Sequence, residues 1–386
     1  MQKSIQKPIH QAVPQPQKKT ALVLSGGGSR GAYQCGVWQA LTELGITIDI
    51  VIGVSVGAIN GSMVVQGDPI KTANLWREME TDMIFDIDAD AGIQDYIREF
   101  FRNQGAGTSG LKGLLRQYVD EDAIRNSPID FGLVTTEIPS MKGHYLWKED
   151  IPRGRLYDYI TASASAFPAV RPIEIGGRYY IDGGYENNLP VSMALEKGAT
   201  EVIAVYLDAV GRFRPAELTE VPNLTFIESK WNLGDFLIFD TANARRILRI
   251  GYLDAMKKYG IYDGSYYTFT KDAFDKSTLA AADTAAKIFS LDPLILYRPQ
   301  TFRHYLAEAV SGAIDAVSEE FEIADLANPA KLKLLFKTVS KPNLILLLAK
   351  LLREKGSDIL NALKILPRML DDEIAAAKLL AQWELV

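Results

Sequence analysis

Gly53-Val54-Ser55-Val56-Gly57 is the stretch of this 386-residue chain best suited to covalent chemistry. It follows the apolar run Ile48-Asp49-Ile50-Val51-Ile52 and precedes Ala58 to Val65, which reads as a helix. A Gly-x-Ser-x-Gly between a strand and a helix is a nucleophile elbow. The turn is tight enough to need small residues, here Gly53 and Gly57, around Ser55 and Val56. It lifts the serine hydroxyl above the sheet and aims a helix N-terminus at the reacting carbonyl.

A serine hydroxyl is a weak nucleophile and needs a base. Histidine is the usual partner, but the chain has only three. His10 lies in the N-terminal tail, His144 in a strand beside a turn and His304 in a helical stretch, and none has the loop context of a catalytic base. Asp182, in Ile181-Asp182-Gly183-Gly184, is the better candidate. It ends a strand, where open α/β sheets place their sites. Partial burial beside Tyr179 and Tyr180 would raise its pKa from the usual value of about 3.9 toward that of a useful base. The competing reading is an ordinary Asp-Gly turn, and Asp-Gly-Gly alone does not decide between them.

Gly26-Gly27-Gly28-Ser29-Arg30-Gly31 also has two readings. It fits the dinucleotide pattern Gly-x-Gly-x-x-Gly between a strand and a helix, with Asp49 near the spacing expected of the ribose-binding acid. That acid belongs at the end of the second strand, however, and Asp49 lies early in it. A phosphate P-loop fails because no Gly-Lys-Ser/Thr follows. The other reading is an oxyanion hole: glycine N–H groups at a helix start, with Arg30 nearby, suit a developing alkoxide, each donor contributing on the order of 3 kcal/mol.

The elements that must position these residues follow from apolar patterning. Ala21 to Leu24 reads as a buried strand, Ala32 to Leu44 as a helix with Val37, Ala40, Leu41 and Leu44 on one face, and Ile46 to Ile52 as a second strand. Residues 68 to 128 read as mainly helical around the loop Gly105 to Gly110, and the segment from 92 to 118 is a candidate lid. Phe131 to Thr136 and His144 to Trp147 read as strands, and Gly176-Gly177 as the turn of a hairpin. Glu201 to Leu207 is a further strand. Alternating strands and helices imply a mostly parallel α/β sheet covered on both faces. From about residue 213 the pattern becomes mainly helical, as in Phe236 to Lys258 and Tyr305 to Ile323. The expected organisation is a tail over 1–19, a catalytic domain over 20–212 and a helical extension over 213–386.

Four motifs in order, the two above with Ala162-Ser163-Ala164-Ser165-Ala166-Phe167-Pro168 and Asp182-Gly183-Gly184 followed by Asn187-Asn188-Leu189-Pro190, resemble the patatin-like phospholipase family over residues 20 to 208. Ser25 stands where plant members often carry Asp and bacterial-type members often carry Ser. The resemblance implies a three-layer α/β/α core and a Ser–Asp dyad without histidine. It implies that Ser55 is the nucleophile, Asp182 the base, and the N–H groups of Gly27 and Gly28, in the loop with Arg30, the oxyanion hole. The substrate it implies is a lipid or phospholipid acyl ester.

Composition sets outer bounds. A hydrophobic content of 47% and a charged content of 23% are those of an ordinary globular protein. A net charge of −6 argues against nucleic acid as the main partner. The lone Cys35 permits no intrachain disulfide and reads as a small core residue. The first 19 residues lack the apolar core of a secretory signal, and no apolar run reaches the roughly 18 residues of a spanning helix. The expected location is therefore the cytoplasm. Lys331 to Leu370 carries nine Lys or Arg against Glu354 and Asp358 among many leucines. It reads either as a surface for peripheral contact with anionic lipid or as helices packed on a core with lysines facing water, and its short, broken segments favour the second. No cofactor is expected, and no His/Cys cluster has metal-ligand spacing. The function the resemblance implies is that of a lipid acyl hydrolase. An acyltransferase using the same residues is an alternative, as is a non-catalytic lipid-binding protein.

Overall fold

A computed structural model describes residues 18–84, 107, 109–317, 340–356 and 370–386. Most of the expected N-terminal tail, residues 92–106 and 108 of the candidate lid, and residues 331–339 and 357–369 of the basic stretch lie outside them. The described residues group into two compact units. The first takes its residues from Met1–Cys35, Thr42–Glu228 and Gly234–Ala244; the second from Gly36–Leu41, Ser229–Leu233 and Arg245–Val386.

The first unit is built on an eight-stranded sheet of order β5-β6-β3-β2-β1-β7-β8, with β4 also paired to β3. The strands are β1 (Thr20–Leu24), β2 (Ile50–Gly53), β3 (Asp130–Ile138), β4 (Lys142–Trp147), β5 (Ile173–Ile175), β6 (Arg178–Asp182), β7 (Glu201–Tyr206) and β8 (Leu224–Glu228). The run β3-β2-β1-β7-β8 is parallel, and β4, β5 and β6 are joined antiparallel. β1 and β2 are buried along their whole length, as expected of strands covered on both faces. Alternate residues serve opposite layers. Ile50 and Ile52 pack with Val191, Met193 and Ala194 of helix Val191–Glu196. On the other face, Val51 and Phe131 approach Gly61, a residue of the helix that follows the serine. The fold is thus the mostly parallel three-layer α/β arrangement that the alternation predicts.

Helix α1 (Gly31–Glu43) follows the glycine loop, and helix α2 (Val56–Gln66) follows Ser55. The hairpin between β5 and β6 turns on Gly176 and Gly177, both at positive φ (60° and 76°), as a tight two-residue turn requires. The sheet continues past residue 212, where the sequence pattern changes, because β8 adds to β7 in parallel register. β8 is short, and three of its five residues are half-buried, so it shows no continuous apolar run.

The second unit holds a three-stranded sheet, β9 (Tyr262–Asp263), β10 (Thr268–Thr270) and β11 (Leu296–Tyr297), with helices Lys276–Ile288, Pro299–Val317, Lys341–Lys355 and Asp371–Gln382. The two- and three-residue strands are too short to show a period in sequence. Tyr267, Phe269, Tyr297, Phe302, Leu306 and Ile345 form its buried centre. The apolar run Leu344 to Ala349 is buried in this core, as a packed helix would have it, and Lys341 bonds Glu373 at 2.6 Å. Among the described residues no helix is long and apolar enough to cross a membrane.

Candidate active site

Ser55 occupies the junction of β2 and α2 at φ 56°, ψ −127°, a conformation that L-residues adopt only under constraint. The constraint is visible on both sides of the turn. A Cβ at Gly53 would lie 2.0 Å from the Gly57 carbonyl oxygen, and one at Gly57 would lie 2.2 Å from the Leu24 carbonyl oxygen. The elbow therefore closes only with glycine at both positions. Val54 N–H donates to Leu24 O (3.1 Å), tying the turn to β1.

Asp182 is brought to Ser55 by β6, which pairs with β3 in the register Thr135↔Asp182. Its carboxylate is 6% exposed and accepts Gly184 N–H at 2.7 Å. Burial pushes its pKa up to about 6, against the opposing effects of hydrogen bonds from the Ser55 hydroxyl and the Gly184 N–H. The sequence attributed such a shift to Tyr179 and Tyr180. Tyr179 is instead half exposed, and Tyr180 packs with Ala162, Ile173 and Ile175. The tyrosine that feels the Asp182 charge is Tyr185, which lines the same cavity.

The glycine loop wraps the other side of Ser55. Most of its N–H groups are spent: Gly26 on Asn188 Oδ1 (3.0 Å), Ser29 on Phe236 O (2.9 Å), Arg30 on Gly27 O (3.2 Å) and Gly31 on Gly28 O. Those of Gly27 and Gly28 have no partner among the described residues, and both residues line the cavity that holds Ser55. Arg30 is placed differently from the sequence expectation. Its guanidinium bonds the carbonyls of Gly234, Leu207 and Asp208, and it does not line the cavity. It anchors the loop rather than facing a reacting oxygen. Asp49, the acid of the dinucleotide reading, accepts the Thr20 N–H at 2.8 Å and so closes the start of β1.

Three positioning features were not singled out from sequence. Ser163 Oγ accepts the Ser55 N–H (3.0 Å) and donates to Val134 O (2.7 Å), so it supports the strained residue directly. Two residues on, Ser165 O accepts the Asp182 N–H at 2.9 Å. Asn60 on α2 donates to Gly31 O and Gln34 Oε1 and accepts from Trp76 Nε1, all within 2.9 Å, which joins the loop to α2. The only signal for Ser163 and Ser165 was their place in the motif Ala162 to Pro168.

The cavity has a volume of about 340 Å³, and its walls are mostly apolar, with Ile59, Met63, Trp76, Met79, Leu115 and Phe239 among them. Leu115 comes from helix Ser109–Tyr118, the described end of the candidate lid. Among the described residues no histidine lines it. His144 bonds Glu137 at 2.9 Å, and His304 lies 3.5 Å from Glu308. Cys35 is buried, which pushes its thiol up to about 12 and leaves it an inert core residue. Among the described residues no cluster could hold a metal ion. A hydroxyl beside a buried carboxylate of raised pKa, two N–H groups without a partner among the described residues and an apolar cleft are parts from which acyl-transfer chemistry can be built.

Residues 22–195 match the patatin-like phospholipase family model. The chain is 32% identical over 193 residues to patatin-like phospholipase domain-containing protein 7 of Rattus norvegicus, covering 48% of this chain and 13% of that protein. It is 28% identical over 232 residues to lysophospholipase NTE1 of Debaryomyces hansenii, covering 56% of this chain and 13% of that protein. The chain therefore spans only 13% of the length of each of these relatives. Among solved structures, VipD from Legionella pneumophila aligns at TM-score 0.40 and 13% identity, covering 96% of this chain and 92% of that one. Residues 22–195, which include Ser55 and Asp182, therefore resemble a patatin-like phospholipase domain.

Proposed function

We propose that the chain is a lipid acyl ester hydrolase in which Ser55 is the nucleophile and Asp182 the base. The observation that carries this reading is the Ser55 hydroxyl beside a buried carboxylate, in an apolar cavity onto which two unpartnered loop N–H groups also open. The acyl chain lies along the apolar walls and presents its carbonyl to Ser55. Asp182 takes the hydroxyl proton as Oγ bonds to the carbonyl carbon. The Gly27 and Gly28 N–H groups hold the tetrahedral oxyanion, and Arg30 keeps their loop in place through three backbone carbonyls. Collapse breaks the ester C–O bond, and the departing alkoxide takes the proton from Asp182. Asp182 then deprotonates water as its oxygen bonds to the acyl-serine carbon; collapse breaks the Ser55 Oγ–acyl bond, Asp182 returns the proton to Oγ, and the fatty acid leaves. The pKa of about 6 suits this role, since the carboxylate is ionised at neutral pH and more basic than an ordinary aspartate.

The test is hydrolysis of p-nitrophenyl butyrate and of lysophosphatidylcholine by wild type, Ser55→Ala and Asp182→Asn. An active wild type with both variants reduced by about 10³-fold or more while folded supports the reading. Activity surviving in Ser55→Ala sinks it.

A further inference from the structure

Asn188 lines the same cavity and is 1% exposed. Its backbone N–H donates to Arg212 O (2.9 Å), and Arg212 N–H donates to Gly184 O (2.7 Å), which laces it to the turn after Asp182. Its side-chain Oδ1 accepts the Gly26 N–H at 3.0 Å. Three glycines from three segments enclose that side chain. A Cβ at Gly26 would lie 2.5 Å from Oδ1, one at Gly184 3.0 Å from Oδ1, and one at Gly211 2.9 Å from Cγ. One amide thus keys the glycine loop to the turn that carries Asp182.

The other end of the amide is costly. Nδ2 is buried and has no hydrogen-bond partner among the described residues. An orphaned buried donor lowers stability, so the residue is not there for stability alone. The alternatives explain the cost. An apolar side chain would leave the Gly26 N–H without its acceptor. A carboxylate would supply the acceptor but add a second negative charge close to Asp182, in the pocket where the oxyanion forms. An amide is a neutral acceptor of the right length, and the orphan Nδ2 is what it leaves behind.

We propose that Asn188 is a positioning residue of this site: acting through Gly26 it sets the loop that carries the Gly27 and Gly28 N–H groups, and it must be neutral to do so. The proposal rests on the hydrolase reading above.

The experiment compares the full chain as wild type, Asn188→Ala and Asn188→Asp. It reads kcat and KM on p-nitrophenyl butyrate, the melting temperature, and active-site content by stoichiometric fluorophosphonate labelling. Asn188→Ala is expected to lower kcat per active site by roughly 10- to 100-fold, with KM within about threefold because the apolar walls are untouched. Asn188→Asp keeps an acceptor for Gly26 and is expected to lose about 10²-fold or more in kcat. Asn188→Ala with kcat per active site within threefold of wild type overturns the positioning role. Asn188→Asp within threefold overturns the need for neutrality. If one variant does not fold, the other decides alone. A wild type that neither hydrolyses ester nor takes the label at Ser55 overturns the hydrolase reading and this proposal with it; an active wild type with unaffected variants overturns only the role of Asn188.

Discussion

The two units treat buried polar groups in opposite ways. In the second unit, Asp283 is 8% exposed and its carboxylate accepts the backbone N–H groups of Ser265, Tyr266 and Tyr267. Glu373, 5% exposed, is matched by Lys341 at 2.6 Å. The first unit instead leaves Thr135 Oγ1, Asn188 Nδ2 and Arg214 Nε buried without partners, the only such side-chain atoms among the described residues. It also holds Ser55 in a strained conformation and Asp182 at a raised pKa. Thr135 is paired in register with Asp182, and Asn188 lines the Ser55 cavity. Two of these three uncompensated atoms thus belong to residues at the candidate site, Asn188 on the cavity wall and Thr135 opposite Asp182 in the sheet.

The sharpest way to break this comparison is to remove the reactive pair. Ser55→Ala and Asp182→Asn are expected to abolish ester hydrolysis by about 10³-fold or more with the fold intact. Similar activity in the variants and wild type would reduce the cavity to a binding site.

In the second unit a substitution should act on stability instead. Asp283→Ala orphans three N–H groups, and a loss of about 3 kcal/mol in denaturant unfolding is expected, without a change in kcat per labelled active site. A stability change below about 0.5 kcal/mol would show that the network is idle.

Ser163→Ala takes the acceptor from the Ser55 N–H. It should cost about 1–2 kcal/mol of stability and slow fluorophosphonate labelling of Ser55, since the strained turn loses its support. Unchanged labelling would mean that the glycines alone hold the elbow.

The smallest effects come from pH. Asp182 must be ionised to act as a base, so kcat/KM should fall as pH drops through about 6. For stability the sign is reversed. The folded-state pKa lies above the unfolded value, so the folded state binds the extra proton, and ionisation costs stability as pH rises from about 4 to about 6. Asp182→Asn should therefore gain in melting temperature relative to wild type across that window and hold the gain above it. A gain of equal size at pH 3.5 and pH 7.5 would show that the carboxylate carries no such penalty.

Much of the site's local chemistry was legible because it is written in contiguous residues. Two apolar runs followed by glycine turns and helical patterns can form only strand–loop–helix units. The elbow reads out because Gly53 and Gly57 are required by contacts inside and just behind the turn. The shortage of histidine pointed away from a triad by count alone. Arg30 shows the limit of that reading. A cation in a glycine loop suggests anion binding, yet which oxygens it meets depends on Leu207, Asp208 and Gly234, about 180 to 200 residues away.

By itself, then, the sequence determined the strand and helix alternation, the elbow at Ser55, the glycine loop before α1 and the proposal of Asp182 as partner to Ser55, since each rests on local sterics or on what residue types are present. Only the tertiary structure decided that two of the six loop N–H groups have no partner among the described residues, that Ser163 meets the Ser55 N–H and Asn188 the Gly26 N–H, that burial pushes the Asp182 pKa up to about 6, and that β8 adds to the sheet. Those outcomes depend on which distant segments meet, because burial and hydrogen-bond partners are properties of the packed chain and have no local signature.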